Sequence, residues 1–140
     1  ALPYLAAPSR VDHILRAELA YLEARCELAR GELAAADAAI ERLLDLRPTW
    51  WGRWRAGELE RDALQVLRAR GAKEEALIAR REAALDHFLA VLDALGAHVP
   101  TNATDPWVVV PWAFACFGLA ACEAEREEHA EALTRLEEAL

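Results

Sequence analysis

The 140-residue chain holds 32 alanines and 22 leucines against 6 glycines and 6 prolines, a composition that suits helices and excludes a β-sandwich, a β-barrel or a doubly wound sheet. Its formal charge of −8 argues against a general binder of phosphate backbones, so direct nucleic-acid binding is not expected. With 29% charged and 55% hydrophobic residues it reads as one folded all-α domain over 1–140 rather than as a disordered segment.

Pro3 and Pro8 mark an extended lead-in, and Ser9, with Asp12 three residues on, starts the first helix in the manner of a capping box. That helix is expected over about 10–30. Leu15, Leu19, Leu22, Cys26 and Ala29 recur on one stripe, which the periodicity predicts to be its buried face. Gly31 stops it, and a second helix over about 32–46 carries Leu33, Ala36, Ile40, Leu43 and Leu44 to Pro48. The very short connection predicts an antiparallel pair.

Residues 47–57 (RPTWWGRWRAG) break the helical pattern and read as a loop. A third helix is expected over about 58–70, ending at Gly71, and a fourth over about 73–95, ending at Gly96. The fourth has two apolar faces: Leu77, Ala84, Phe88, Val91 and Leu95 on one, Ile78, Leu85, Leu89 and Leu92 on the other. That predicts a helix sandwiched between neighbours. Residues 97–105 form a loop, with Asp105 as cap and Pro106 as first helical residue. The fifth helix begins at 106 with a kink at Pro111, or at 111, and runs to about 125. A sixth over about 127–140 places Ala132, Leu133, Leu136 and Ala139 or Leu140 on one face. Six helices make three antiparallel pairs.

Charge is uneven: residues 47–81 carry a net +4 inside an acidic chain, either an ordinary solvated surface or a basic docking patch. Cys26, Cys116 and Cys122 are odd in number, have no C-x-x-C spacing and sit in apolar helical patterns, pointing to free thiols in a reducing, cytoplasmic setting. The Asn102-Ala-Thr104 sequon is discounted for that reason. No run of 18 apolar residues exists, so no membrane span is expected. The absence of methionine, even at position 1, leads us to expect a processed product or part of a longer protein.

No catalytic or metal motif is present. His13, His87, His98 and His129 form no H-E-x-x-H, and there is no P-loop, nucleophile elbow or dinucleotide fingerprint. The Asp12-His13 and Asp86-His87 neighbours point about 100° apart on a helix and make no dyad. Neither an enzyme nor a cofactor is expected. The cluster Trp50, Trp51, Arg53, Trp54 and Arg55 is the most unusual local feature. Exposed in a loop, it would anchor a partner, since Trp and Arg dominate binding hot spots. Tucked under the loop, its tryptophans would be core. Trp107 and Trp112 read as packing between pairs.

Three segments, 22–48, 63–85 and 119–140, share a small-residue first helix, a tight turn and an alanine-rich second helix. Ala24, Gly31, Ala36, Ile40, Leu43 and Pro48 in the first, Gly71, Ala76 and Ala83 in the second, and Leu119, Ala120, Ala132, Leu136 and Ala139 in the third carry the pattern. Together they resemble the tetratricopeptide repeat family in degenerate form. Small residues at such crossings let helices approach to about 8–10 Å. Equivalent alanines lie at 36, 76 and 132, wider apart than the family's period, and Arg80 stands where a large apolar residue is expected.

The resemblance implies a short right-handed array of about three stacked hairpins, at about 10–48, 58–95 and 106–140. It also implies a concave groove lined by Glu18, Tyr21, Arg25 and Leu28, then Glu58, Arg61, Gln65 and Arg68, then Phe114, Phe117, Ala121 and Ala124. Of these, Tyr21, Arg25, Arg61, Gln65, Arg68, Phe114 and Phe117 are the candidate contacts: a basic middle and an apolar end. They imply a non-enzymatic module that binds a protein or peptide with an acidic group and a hydrophobic anchor. The Lys and Asn of the family's carboxylate clamp are absent, so no chaperone partner is implied. A second copy of the chain is a further candidate partner. The competing reading is a helical sensor segment of a larger bacterial regulator, which the 15 Arg to 1 Lys of a GC-rich genome suits.

Overall fold

A computed structural model describes residues 10–95 and 106–139, except the side chains of 10, 11, 107, 108, 129–136 and 139. The described residues form five α-helices and no strand: α1 (Arg10–Arg30), α2 (Leu33–Leu46), α3 (Trp50–Ala69), α4 (Glu74–Leu95) and α5 (Pro106–Ala139). The expectations for Pro3, Pro8, Ser9, the 97–105 segment with its Asp105 cap, the sequon, His98, and the side chains of Trp107, His129, Ala132, Leu133, Leu136, Ala139 and Leu140 lie outside the described residues.

Two glycines make the tight turns. Gly31 and Gly71 have φ of +77° and +67°, the left-handed region that a β-carbon disfavours. After α1, Gly31 N–H donates to the Leu28 carbonyl at 3.0 Å and Glu32 N–H to Glu27 at 2.8 Å. After α3, Gly71 N–H donates to Arg68 and Ala72 N–H to Leu67, both at 3.0 Å. Both are Schellman closures, which satisfy the orphan carbonyls of a helix end. Arg70 then donates to the Gly31 carbonyl and ties the two turns together.

Helix α1 packs on α2, and α3 on α4. Helix α3 also meets α1 and α2, and α5 meets α3 and α4. The core is built from Ala17, Ala20, Ala24 and Leu28 of α1, Ala36, Ala39, Ile40 and Leu43 of α2, Ala56, Leu59 and Ala63 of α3, Ala84, Leu85, Phe88 and Val91 of α4, and Ala115 and Cys122 of α5. Alanine-faced helices approach closely enough for their backbones to pack. Phe88 shows what this closeness requires. A β-carbon at Gly57 would lie 2.6 Å from its ring, and one at Gly118 2.5 Å from the ring's other edge. The phenyl group of α4 is therefore wedged between two bare backbones, one on α3 and one on α5.

Four expectations are corrected. The leucine stripe of α1 is not its buried face: Leu15, Leu19, Leu22, Cys26 and Ala29 are exposed, and the alanine face packs inward. Small side chains win there because they admit the neighbouring helix. Residues 50–57 are not a loop but the first two turns of α3; Trp51, Trp54 and Leu59 fall on its core face, and Gly57 serves Phe88 rather than breaking the helix. Helix α4 does lie between α3 and α5, buried along Ala84, Leu85, Phe88 and Val91 with Leu92 packed against the core, but Ile78 and Leu89 of its second face are exposed. The expected fifth and sixth helices are one 34-residue helix that starts at Pro106 and runs through Pro111. No glycine or proline interrupts residues 119–139, and their Ala, Glu, Leu and Arg favour continuation. The third pair is therefore absent, and the described residues form two joined pairs and one long helix.

Candidate functional site

A cleft of about 330 Å³ opens where α1, α3, α4 and α5 converge, lined by Tyr21 and Arg25, Glu58, Arg61, Asp62 and Gln65, Phe88, and Phe114 and Phe117. The turn spacing of α3 puts its four residues on one side, since positions three and four apart share a face. Phe114 and Phe117 repeat that spacing on α5 and stand exposed.

Glu58 gathers several of the side chains around it. Tyr21 Oη donates to Glu58 Oε2 at 3.3 Å, and Arg55 Nη1 lies 3.7 Å from the same oxygen. The Arg55 guanidinium sits 4.3 Å over the Tyr21 ring and 4.4 Å over Trp54, and Trp54 stacks on Phe114 with centroids 6.0 Å apart. A planar cation on aromatic faces is a favourable contact in itself. It also fixes the inner wall of the cleft. Burial pushes the Glu58 carboxyl above its ordinary range, against the pull of Arg55. Burial also raises the Tyr21 phenol, with Glu58 adding to the rise. Arg61 lies 5.8 Å over the Phe117 ring. Asp62 is raised by burial, opposed by Arg25 and Arg61.

Of the seven groove residues expected from the sequence, Tyr21, Arg25, Arg61, Gln65, Phe114 and Phe117 meet in this one cleft. Arg68 does not. Its guanidinium donates to both carboxylate oxygens of Glu125, at 3.1 and 2.9 Å, and joins α3 to α5. The middle of the cleft is not basic, because Glu58 and Asp62 alternate with the two arginines. Asp62 and Phe88 were missed. Asp62 is four residues from Glu58, a spacing that identifies it, whereas Phe88 reads as core in any periodic analysis.

The Trp cluster is not exposed in a loop but packs into the start of α3. Trp51 and Trp54 are buried and meet edge to face at 6.4 Å, Trp50 packs against the core, and Arg47 covers Trp51 at 4.5 Å. Arg53 is exposed and lies 3.2 Å from Nδ1 of His87. Arginine can only donate, so Nδ1 accepts and the imidazole keeps its proton on Nε2. Burial and the Arg53 charge lower the pKa of His87, against the pull of the adjacent Asp86. The basic segment 47–81 is largely spent inside the fold: besides Arg55 and Arg68, Arg80 donates to Asp37 at 2.6 and 2.8 Å and to Glu60 at 2.9 Å.

Cys26, Cys116 and Cys122 are free thiols, and burial raises the Cys122 pKa. No cluster among the described residues has the composition of a metal site. No described helix is long and apolar enough to cross a membrane. No protein-family model, curated protein or solved structure matches the chain.

Proposed function

We propose that the chain is a non-enzymatic interaction module that holds an extended peptide of a partner protein in the cleft between α1, α3 and α5, in the manner of a tetratricopeptide array. The observation that carries this reading is the convergence of six residues, assigned from the repeat pattern alone, on one cleft. The order of helix contacts supports it. Helix α1, the first of one pair, lies against α3, the first of the next, and the long α5 lies against both α3 and α4. Contacts between first helices are what a repeat array, which binds along such a surface, would make.

The lining sets the ligand chemistry. Phe114 and Phe117 offer an exposed aromatic shelf for one apolar side chain, and Arg25 and Arg61 stand beside it for a carboxylate. Preformed helices need little ordering, so the binding cost falls on the peptide. Panning a random peptide library against the full chain is expected to enrich sequences that pair an apolar residue with an acidic one. Phe117→Asp and Arg61→Glu should each weaken those peptides by at least about tenfold, the scale of a single contact near a hot spot. Failure to enrich any peptide, or peptides that bind both variants as well as the unaltered chain, would contradict the reading.

A further inference from the structure

The outward face of α1 is built as a seam for another helix. Leu15, Leu19 and Leu22 are 55%, 64% and 50% exposed, and Cys26 and Ala29 continue the line, also exposed. The steps of four, three, four and three residues average 3.5. That is the period of a coiled-coil contact line, whose a and d positions stay in register with a partner. The seam lies opposite Ala17, Ala20 and Ala24, which face the core. It is therefore not a core surface left over by poor packing but a second apolar face. We propose that this face binds the same face of a second copy of the chain, with the two α1 helices antiparallel.

The flanking charges select both the occupant and its direction. With Leu15 and Leu22 as d positions and Leu19 and Cys26 as a positions, Arg16 and Glu23 are e residues and Glu18 and Arg25 are g residues. In an antiparallel pair each a faces a d, so Leu19 packs on the second copy's Leu22 and Leu15 on the second copy's Cys26. Residues e then face e, and g face g. Arg16 meets the second copy's Glu23, and Glu18 meets the second copy's Arg25, each pair occurring twice about the two-fold axis. A parallel pair would instead bring g against the e residue five positions on, setting Glu18 against Glu23 and Arg25 against Arg30. Both are like-charge encounters, which count against that alignment. Glu23 already pairs with Arg42 of α2 at 2.7 Å while half-exposed, so the second copy's Arg16 would extend an existing network. Beside Leu19 the surface is recessed: a groove of about 420 Å³ between α1 and α2, floored by Leu19, Ala20 and Leu46, has room for a leucine.

Apart from Arg25, which also lines the cleft, this inference uses none of the residues proposed for peptide capture. Sedimentation equilibrium of the full chain across the micromolar range is expected to fit a monomer–dimer equilibrium. Leu19→Arg combined with Leu22→Arg should raise the dissociation constant at least about a hundredfold, since each removes a leucine from a buried seam. The circular dichroism spectrum should not change, because both side chains face solvent in the single chain. Arg16→Glu alone should weaken the dimer, and adding Glu23→Arg should restore it. In a Leu15→Cys chain, oxidation should link the new thiol to Cys26 of the second copy, as mapped by mass spectrometry. A monomer at all concentrations, a dimer indifferent to the leucine substitutions, or a Cys26-to-Cys26 link in the unaltered chain would overturn the proposal.

Discussion

Phe88→Ala is expected to lower the free energy of unfolding by about 3–5 kcal/mol, the range for removing a fully buried phenyl group. The position favours the upper part of that range. The ring is 0% exposed, and its two edges occupy the space in which β-carbons at Gly57 and Gly118 would stand. Cavities cost less where neighbouring side chains can collapse into them. Here the nearest walls are the backbones of α3 and α5, which have no side chain to swing inward. Against a typical domain stability of about 5–15 kcal/mol, such a loss removes much of the margin. Urea unfolding followed by circular dichroism measures it. A loss below about 1 kcal/mol, small for a core truncation, would mean that the ring is not the wedge between the two helices.

Arg80→Met is expected to cost a similar amount for an electrostatic reason. Arg80 joins three helices: it belongs to α4, grips both oxygens of Asp37 on α2 and donates to Glu60 on α3. Glu60 is 7% exposed. Removing the cation leaves a buried carboxylate with no counter-charge, a change that costs about 3–5 kcal/mol in buried pairs. Burial already raises the Glu60 carboxyl, and Arg80 is what holds it down. The variant should therefore show a pH dependence that the unaltered chain shows less strongly. With Arg80 gone, the folded-state pKa of Glu60 rises further above its unfolded value. The native state then binds more protons than the unfolded one, so stability falls as pH rises through the folded pKa. Urea titrations between about pH 5 and 8 should show the deficit shrinking toward the acid end, and Glu60→Gln in the same chain should flatten that slope. A deficit independent of pH would contradict the assignment of Glu60 as the stranded group.

These two positions also mark where sequence reading stops. Turns were legible, because Gly31 and Gly71 combine a helix end with a conformation that few other residues adopt. Six of the cleft's residues were named through the repeat resemblance, which assigns groove positions to first helices, and they line one cleft in the structure. Arg80 reads only as a departure from the repeat pattern; its role depends on Asp37 and Glu60, which lie 43 and 20 residues away. The inward face of α1 was misread because periodicity ranks leucine above alanine, whereas closeness of backbones favours the smaller side chain. Trp50 to Gly57 resembled a loop because glycine usually interrupts helices, yet Gly57 is there to admit Phe88. The repeat resemblance implies a third pair, although residues 119–139 contain nothing that stops a helix and continue α5.

The cleft exists only if α5 lies across α3 and α4 so that Phe114 and Phe117 face Tyr21 and Arg61. The most direct measurement is the set of nuclear Overhauser contacts of the Phe88 ring protons in selectively labelled chain. Contacts to the α-protons of both Gly57 and Gly118 are predicted, because the ring touches both backbones. A ring that contacts Gly57 but not Gly118 would place α5 elsewhere and contradict the account.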